Sequence, residues 1–384
     1  MELIRVHKID SEGLQPQVVV AVPSVNRFLG AFADLYKGVS LCSQGNDILY
    51  IALSQRKDGQ VISSNCFTGE HKKFQFSNIK HKKEEKWLNY VKGSLSVLEQ
   101  SFKNFSGLTI TLDGNLLQCE NSMVYAAITV GMVFGLNSLY KLKKDKAGMY
   151  ELCKEVFTGF CTEVPPFVNL MTMLFAEKDK FISIDLDRES YASVPNPFKK
   201  SEYTMLIVDG NIPSAAMKEE LDYTQDILKR AIEHYRAQNN RFNIKQYTEC
   251  NLNEEDRRLI NYLFNEYKIS MSSENAFSLG DFPLIGKLFS KMEKGIKDDL
   301  ELTCPEIDWL IKRSSENPVC LGSAMITNGL GGLIAIVIKS SEIESYTSHL
   351  EEYGHIFGFD SCVYEFAASN TVKLIDLNTP ALQN

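Results

Sequence analysis

The chain is short of most residues that mark a specialised class. Its 384 residues include nine cysteines, an odd number, with no Cys-x-x-Cys pair. That argues against a disulfide framework and for a reducing, cytoplasmic setting in which most cysteines serve as small buried apolar residues. The six histidines show no metal-ligand spacing, so no metal site is expected. No run reaches the ~18 uninterrupted apolar residues of a membrane helix, and Met1-Glu2-Leu3-Ile4-Arg5 lacks the apolar core of a secretory signal. Positive charge is in deficit, 41 basic against 49 acidic residues, for a net charge of −8. Nucleic-acid binding needs a clustered basic face and is not expected. The densest basic run, from Lys72-Lys73 to Lys82-Lys83, is broken by Phe74 and Phe76 and followed by Glu84-Glu85. It reads as a solvated loop.

What remains is an ordinary globular balance, 44% hydrophobic and 23% charged, in a length that suits two domains. Val18 to Val22 is apolar and β-branched, the signature of a buried strand. Asp47–Leu53, Phe181–Leu186, Met205–Val208 and Leu333–Ile338 read as further strands. Lys57-Asp58-Gly59-Gln60 predicts a hairpin turn, since Asp-Gly tolerates positive φ. Leu88, Val91, Leu95, Leu98 and Phe102 step by three and four, which places them on one face of a helix. Leu221, Leu228, Ile232 and Tyr235 do the same within Glu219–Tyr235. Met123–Leu136 is mostly apolar and predicts a helix buried on nearly all sides. Two prolines and adjacent charge in Ser193–Lys200 suggest a domain boundary. Strands and helices mix without regular βαβ alternation, so the expected class is α+β.

Several segments, in order, resemble the galactokinases, a family of GHMP kinases. Pro23–Tyr36 lies without a gap along the family's Pro-Gly-Arg-Val-Asn-Leu-Ile-Gly-Glu-His-Thr-Asp-Tyr-Asn. The turn at Gln55–Gly59 matches a family turn. Trp87-Leu88-Asn89-Tyr90-Val91-Lys92-Gly93 is similar to Trp-x-Asn-Tyr-Val-Lys-Gly. Ile184-Asp185-Leu186-Asp187 to Val194-Pro195 resembles the strand and linker after the family's catalytic loop. Leu302–Asp308 resembles Val-Ser-Cys-Pro-Glu-Leu-Asp, and Gly322–Gly332 resembles Gly-Ala-Arg-Met-Thr-Gly-Ala-Gly-Phe-Gly-Gly. The matches run from about residue 20 to 340. The resemblance implies an α+β, two-domain GHMP-kinase fold. Residues 1–200 would form an N-terminal domain like ribosomal protein S5 domain 2, and 201–384 a ferredoxin-like two-layer C-terminal domain.

Phosphoryl transfer to a sugar is mostly positioning and charge stabilisation, and the resemblance implies where each part should lie. The family's phosphate cradle, Gly-x-Gly-Leu-Ser-Ser-Ser-Ala, falls on Leu116–Val124, which contains no glycine. Glycine-rich loops hold phosphate on backbone N–H groups at a helix N-terminus, and side chains crowd that approach. Glu120 adds a negative charge, and repulsion between unit charges ~4 Å apart costs ~1 kcal/mol in water. Ser122 keeps a serine position, as a nucleotide contact or as a plain helix cap. The family's catalytic aspartate falls at Pro165 or Pro166, according to which flank anchors the alignment. No catalytic residue is therefore assigned, and Glu163 is the nearest acid.

The sugar-binding arginine, glutamate, histidine and aspartate fall on Val25, Ala31, Phe32 and Asp34. Gly30 and Asp34 remain as candidate substrate contacts, with a turn or cap role as the alternative for Asp34, and Arg27 lies two residues from the arginine position. Gly329, Gly331 and Gly332 remain as candidate nucleotide contacts that also serve a tight loop. Gly69-Glu70-His71 looks like a fragment of the first motif without its context. Glu219–Gln225 replaces the family's Ser-Glu-Tyr-Asn-x-Arg-Arg. Kept positions are mainly architectural, and lost ones mainly polar.

Three readings follow. The first is a galactokinase-like protein that has lost sugar phosphorylation and acts by binding or regulation, its partner a small sugar or another protein. The second is an active sugar 1-kinase with a rearranged site and Mg-ATP as cofactor. The third is a kinase for a different small alcohol.

Overall fold

The computed structural model describes residues 2–101, 107–119, 121–212, 214–239, 242–246, 251–326, 332–368 and 371–377. The first third of the chain runs α1 (Glu2–Asp10), β1 (Val18–Leu29), α2 (Ala33–Tyr36), β2 (Val39–Arg56), β3 (Gln60–Asn65), β4 (Glu70–Gln75), α3 (Lys86–Ser101) and β5 (Gly107–Asp113). Then come α4 (Asn121–Leu139), α5 (Lys146–Glu155), α6 (Phe167–Phe175), β6 (Lys180–Asp185), β7 (Ser190–Pro195) and β8 (Tyr203–Asp209). The last part holds α7 (Ser214–Asn239), α8 (Glu254–Leu279), α9 (Phe282–Asp298), α10 (Pro305–Glu316), β9 (Cys320–Met325) and β10 (Leu333–Lys339). It ends with α11 (Ile343–His349), α12 (Glu351–Phe357), β11 (Cys362–Glu365) and β12 (Lys373–Leu374).

Two compact units divide the chain, one of residues 1–25, 44–178 and 369–384, the other of 26–43 and 179–368. Neither is a continuous stretch. Ser193 and Val194 lie in β7, paired with β6 inside the second unit.

The first unit is built on a sheet ordered β12-β1-β2-β5-β3-β4. The Asp-Gly turn forms, with Gly59 at φ +70° and the Gln60 amide on Asp58 Oδ1. It does not make a hairpin, however. β5 lies between the two strands, antiparallel to β2 and parallel to β3. Turn chemistry reverses the chain locally, but a strand from 50 residues further on takes the pairing edge, and such non-local pairing leaves no trace in the turn. In α3, Leu88, Val91, Leu95 and Leu98 are buried as the spacing predicts, and Phe102 lies outside the described residues. α4 is long and apolar enough to cross a membrane by composition, but 67% of that window is buried inside the protein. It packs against α3, α5 and α6. This is the core helix that Met123–Leu136 predicts.

The second unit carries a four-stranded antiparallel sheet ordered β11-β8-β10-β9. In chain order that is 4-1-3-2, the split βαβ arrangement of ferredoxin-like domains. The central strands β8 and β10 are the two apolar runs, with Leu206 opposite Ile336. Strands buried on both faces read as continuous hydrophobic sequence. α9 and α10 pack against β9, and α8 lies between α7 and α9. Phe28, Phe181 and Phe366 meet in a cluster with ring centroids 4.9–5.5 Å apart, a favoured aromatic spacing.

Of the described cysteines, all free thiols, Cys42, Cys153 and Cys161 are buried, four are half-buried and Cys362 is exposed. Burial of most cysteines is therefore not observed. Their side chains sit at strand and helix ends, where the fold closes over them only in part.

Candidate functional site

The cradle segment belongs to the first unit. After β5 the chain makes a 3-10 turn over Asn115–Gln118 and enters α4 at Asn121. The Leu117 amide donates to the Gly114 carbonyl at 3.3 Å, and the Cys119 amide to Leu116 at 3.0 Å. Two amides of the loop thus close on its own carbonyls. The side chains of Leu116 and Leu117 turn inward and are buried. Asn115 pins the turn to β2. Its Nδ2 donates to Asp47 Oδ1 at 2.6 Å, and its Oδ1 accepts from the Ile48 amide at 2.8 Å. Ser122 is exposed in the first turn of α4, one residue inside the helix, so it is not the cap residue.

The segment at the family's catalytic carboxylate is in the same unit. α5 passes into a π-helical turn over Val156–Cys161, Thr162 takes a left-handed conformation, and α6 begins at Phe167. Single π turns are uncommon and occur often at functional sites. Pro165 is buried and Pro166 half-buried just before α6. Proline offers neither a proton acceptor nor an N–H. Glu163 is exposed in the loop and accepts a 2.6 Å hydrogen bond from the Tyr90 hydroxyl. Burial and that carboxylate hold the Tyr90 pKa well above its usual value. The Tyr90 ring stacks on Tyr125 at 4.2 Å and meets Phe157 at 5.1 Å. The rest of the Trp87–Gly93 motif is structural. Asn89 clasps the Lys82 backbone through both amide atoms, and buried Lys92 pairs with Glu85.

The sugar-motif positions are divided between the units. Val25 is buried at the end of the first unit's share of β1. Asn26–Tyr36 belongs to the second. Gly30 turns the chain at φ +79°, where a Cβ would come 2.2 Å from the Val39 carbonyl oxygen. Only glycine allows strands β1 and β2 to approach so closely. Ala31 and Phe32 join the apolar core of the unit, with the Phe32 ring edge-on to Tyr262 at 6.1 Å. Arg27 and Asp34 form an ion pair at 2.9 Å, and Arg27 also donates to the Ala31 carbonyl at 2.8 Å. The two charged side chains of the motif are thus engaged with each other across the turn. Asp34 sits in the first turn of α2 and is not its cap.

Beneath this turn lies a buried acid that sequence reasoning does not single out. Glu266 of α8 is 1% exposed. It accepts from the Phe32 amide at 3.1 Å, from Tyr36 at 2.7 Å and from Tyr262 at 3.0 Å. Burial raises its pKa, while the three donors and nearby Arg27 pull it down. The available signal is an acid on an apolar stripe, since Leu259, Tyr262, Leu263 and Ser270 share its buried face.

In the glycine-rich segment near the C-terminus, Gly329 and Gly331 lie outside the described residues. Gly332 has φ +76°, and its carbonyl accepts from the Gly210 amide at 3.2 Å. Among the described residues no three His, Cys, Asp or Glu side chains converge to hold a metal ion. A nucleotide triphosphate fits these residues poorly. Two amides of the cradle segment, those of Leu117 and Cys119, are engaged by the loop itself, the segment contains no glycine, and no carboxylate stands at Pro165 or Pro166.

No family model matches the chain. Over 392 aligned residues it is 22% identical to a candidate galactokinase of Treponema pallidum, covering 97% of this chain and 98% of that one. It is 23% identical to the galactokinase of Thermotoga maritima, covering 77% and 84%. Its fold superimposes on Lactococcus lactis galactokinase, crystallised with galactose, with a TM-score of 0.81 at 17% identity, covering 97% of this chain and all of that one. A mevalonate kinase of Methanococcus jannaschii matches with a TM-score of 0.60 at 14% identity, covering 92% and 98%.

Proposed function

We infer that this chain, a divergent member of the galactokinase family of GHMP kinases, has given up sugar phosphorylation and acts by binding. The observation that carries the reading is the closed loop at Leu116–Cys119. Phosphoryl transfer works by positioning and by donors aimed at phosphate oxygens. Here the Leu117 and Cys119 amides are engaged by the loop itself. Opening them would break two backbone hydrogen bonds, each worth about 1 kcal/mol net, and expose buried Leu116 and Leu117. At the carboxylate position, proline cannot draw a proton from an attacking hydroxyl. At the sugar positions, Phe32 and Ala31 contribute apolar surface, and Arg27 already neutralises Asp34. A bound partner would be a small sugar, through Asp34 and the turn at Gly30, or another protein.

A second reading keeps the kinase active with Glu163 as base. It is favoured by the exposure of Glu163 in the loop and by its bond to Tyr90. The Tyr90 hydroxyl would hold that carboxylate in one orientation. The deciding experiment is ADP formation with Mg-ATP and galactose, compared with a Glu163→Gln variant. The binding reading expects no turnover above background in either protein. Turnover in the parent that is lost in Glu163→Gln establishes the second reading and overturns the first.

A further inference from the structure

The basic run that reads as a solvated loop divides in the structure. Lys72 and Lys73 lie in β4, and Lys80, Lys82 and Lys83 lie in the segment that leads to α3. β4 is the last strand on its side of the sheet. Its register sets Gln75 opposite Gln60, and the Phe76 amide donates to the Gly59 carbonyl at 3.1 Å. In an antiparallel ladder, hydrogen-bonded and non-bonded pairs alternate. Val61–Phe74 and Ser63–Lys72 are therefore bonded pairs. The N–H and C=O groups of His71, Lys73 and Gln75 point the other way, to an edge that no strand covers among the described residues. An open edge of this kind is a template for a further strand.

The lysine segment is fixed beside one face of that strand. Trp87 Nε1 donates to Glu70 at 2.5 Å. Lys92, 3% exposed, stands 5.0 Å over the Phe74 ring and donates to the Lys80 carbonyl at 3.4 Å. With Asn89 on the Lys82 backbone, buried polar groups hold this segment's main chain and leave its side chains outside. Lys73, Lys80, Lys83 and Lys86 are exposed, and none forms a salt bridge among the described residues. The acids nearby are mostly taken. Lys72 and Trp87 occupy Glu70, and Lys82 and Lys92 occupy Glu85. Asp10 of α1 is bonded to Ser64 and His71. Glu84 is exposed without an ion pair. From Glu70 to Lys92 there are seven lysines and three glutamates, in a chain whose net charge is −8. The surplus around this edge is cationic.

We propose that β4 takes up an extended acidic segment of another protein as an added strand. The backbone of that segment pairs with His71, Lys73 and Gln75. Successive side chains of a strand point to opposite faces, so its carboxylates meet Lys73 on one face and Lys80 and Lys83 on the face that carries Phe74. In strand addition the main-chain bonds supply affinity and the side chains select the partner. A second copy of the chain is a poor occupant. Two β4 strands paired about a two-fold axis at Lys73 would set Lys73 against Lys73, and like charges directly opposite are destabilising. No residue of the phosphate loop or the sugar turn takes part, so the proposal stands whether or not the chain transfers phosphate.

The test is fluorescence anisotropy of a labelled, end-capped peptide of about ten residues alternating glutamate and valine. It is titrated with the full chain in about 0.15 M salt, where long-range attraction is screened. One further arm uses the same peptide N-methylated at alternate residues, which keeps its charge and removes the pairing donors. Another uses single-stranded oligothymidylate of the same net charge. Saturable binding of the parent peptide is expected, weakened about ten-fold or more by N-methylation and by Lys73→Glu/Lys83→Glu. Lys73→Pro removes the outward N–H without touching the ladder to β3 and should weaken it similarly. If that variant fails to fold, the N-methylated peptide and the lysine pair decide. Absence of saturable binding, equal binding of the N-methylated peptide or the oligothymidylate, or unchanged affinity in the lysine pair would overturn the proposal.

Discussion

Glu293 offers a prediction whose size follows from the structure. This α9 side chain is buried, and one carboxylate oxygen accepts from the Met325 amide at 2.8 Å, where β9 ends. Burial pushes its pKa up from 4.5 to about 7, helped by Asp308 and opposed by Lys297 and the Met325 bond. A raised carboxylate holds its proton more tightly in the folded state. Its stabilising contribution is therefore complete below 4.5 and is lost as pH rises through about 7. The full gap corresponds to about 3 kcal/mol. Glu293→Gln keeps an acceptor for Met325 and never ionises. The stability advantage of the variant over the parent should thus grow by roughly 2–3 kcal/mol between about pH 5 and pH 8, and taking the difference cancels titrating groups that do not interact with Glu293. Urea unfolding can be followed by Trp309 fluorescence in a Trp87→Phe background, which confines the signal to the second unit. A difference that stays flat, or shrinks as pH rises, would refute the reasoning.

Three further outcomes are expected. Gly30→Ala should destabilise by on the order of 3 kcal/mol in denaturant unfolding, because the added Cβ meets the Val39 carbonyl at 2.2 Å; a loss below about 1 kcal/mol would show that the turn can relax. Glu266→Leu leaves the Phe32 amide and the Tyr36 and Tyr262 hydroxyls without their acceptor, so unfolding should show a loss of on the order of 3 kcal/mol, and Glu266→Gln a smaller one; equal losses would mean the hydrogen bonds contribute little. Restoring a carboxylate by Pro165→Asp or Pro166→Asp should yield no galactose-dependent ADP formation, because the closed loop still lacks a cradle. Activity in either variant would put the whole loss at that one residue.

The parts of the fold legible in sequence are those set by local pattern. The apolar runs at Val18, Met205 and Leu333 became strands, and the helical stripes at Leu88 and Leu221 became α3 and α7. Pairing was not legible: the Asp-Gly turn after Arg56 forms, yet β5 enters between its strands. Departures from the family motifs were legible too, because an absent glycine or carboxylate can be read directly. The contacts made around those positions could not be read. That Arg27 turns onto Asp34, that the Leu117 and Cys119 amides close on their own loop, and that Glu266 sits under Phe32 all depend on contacts made in space. In the case of Glu266 the partner lies 234 residues away in sequence.

The central claim, that the loop at Leu116–Cys119 does not cradle phosphate, is tested most directly by thermal unfolding with and without millimolar Mg-ATP. A ligand at about 100 times its Kd stabilises by about 2.7 kcal/mol, a readily measured shift. The account predicts no shift. A clear shift would show that the glycine-free loop still holds nucleotide, and would contradict it.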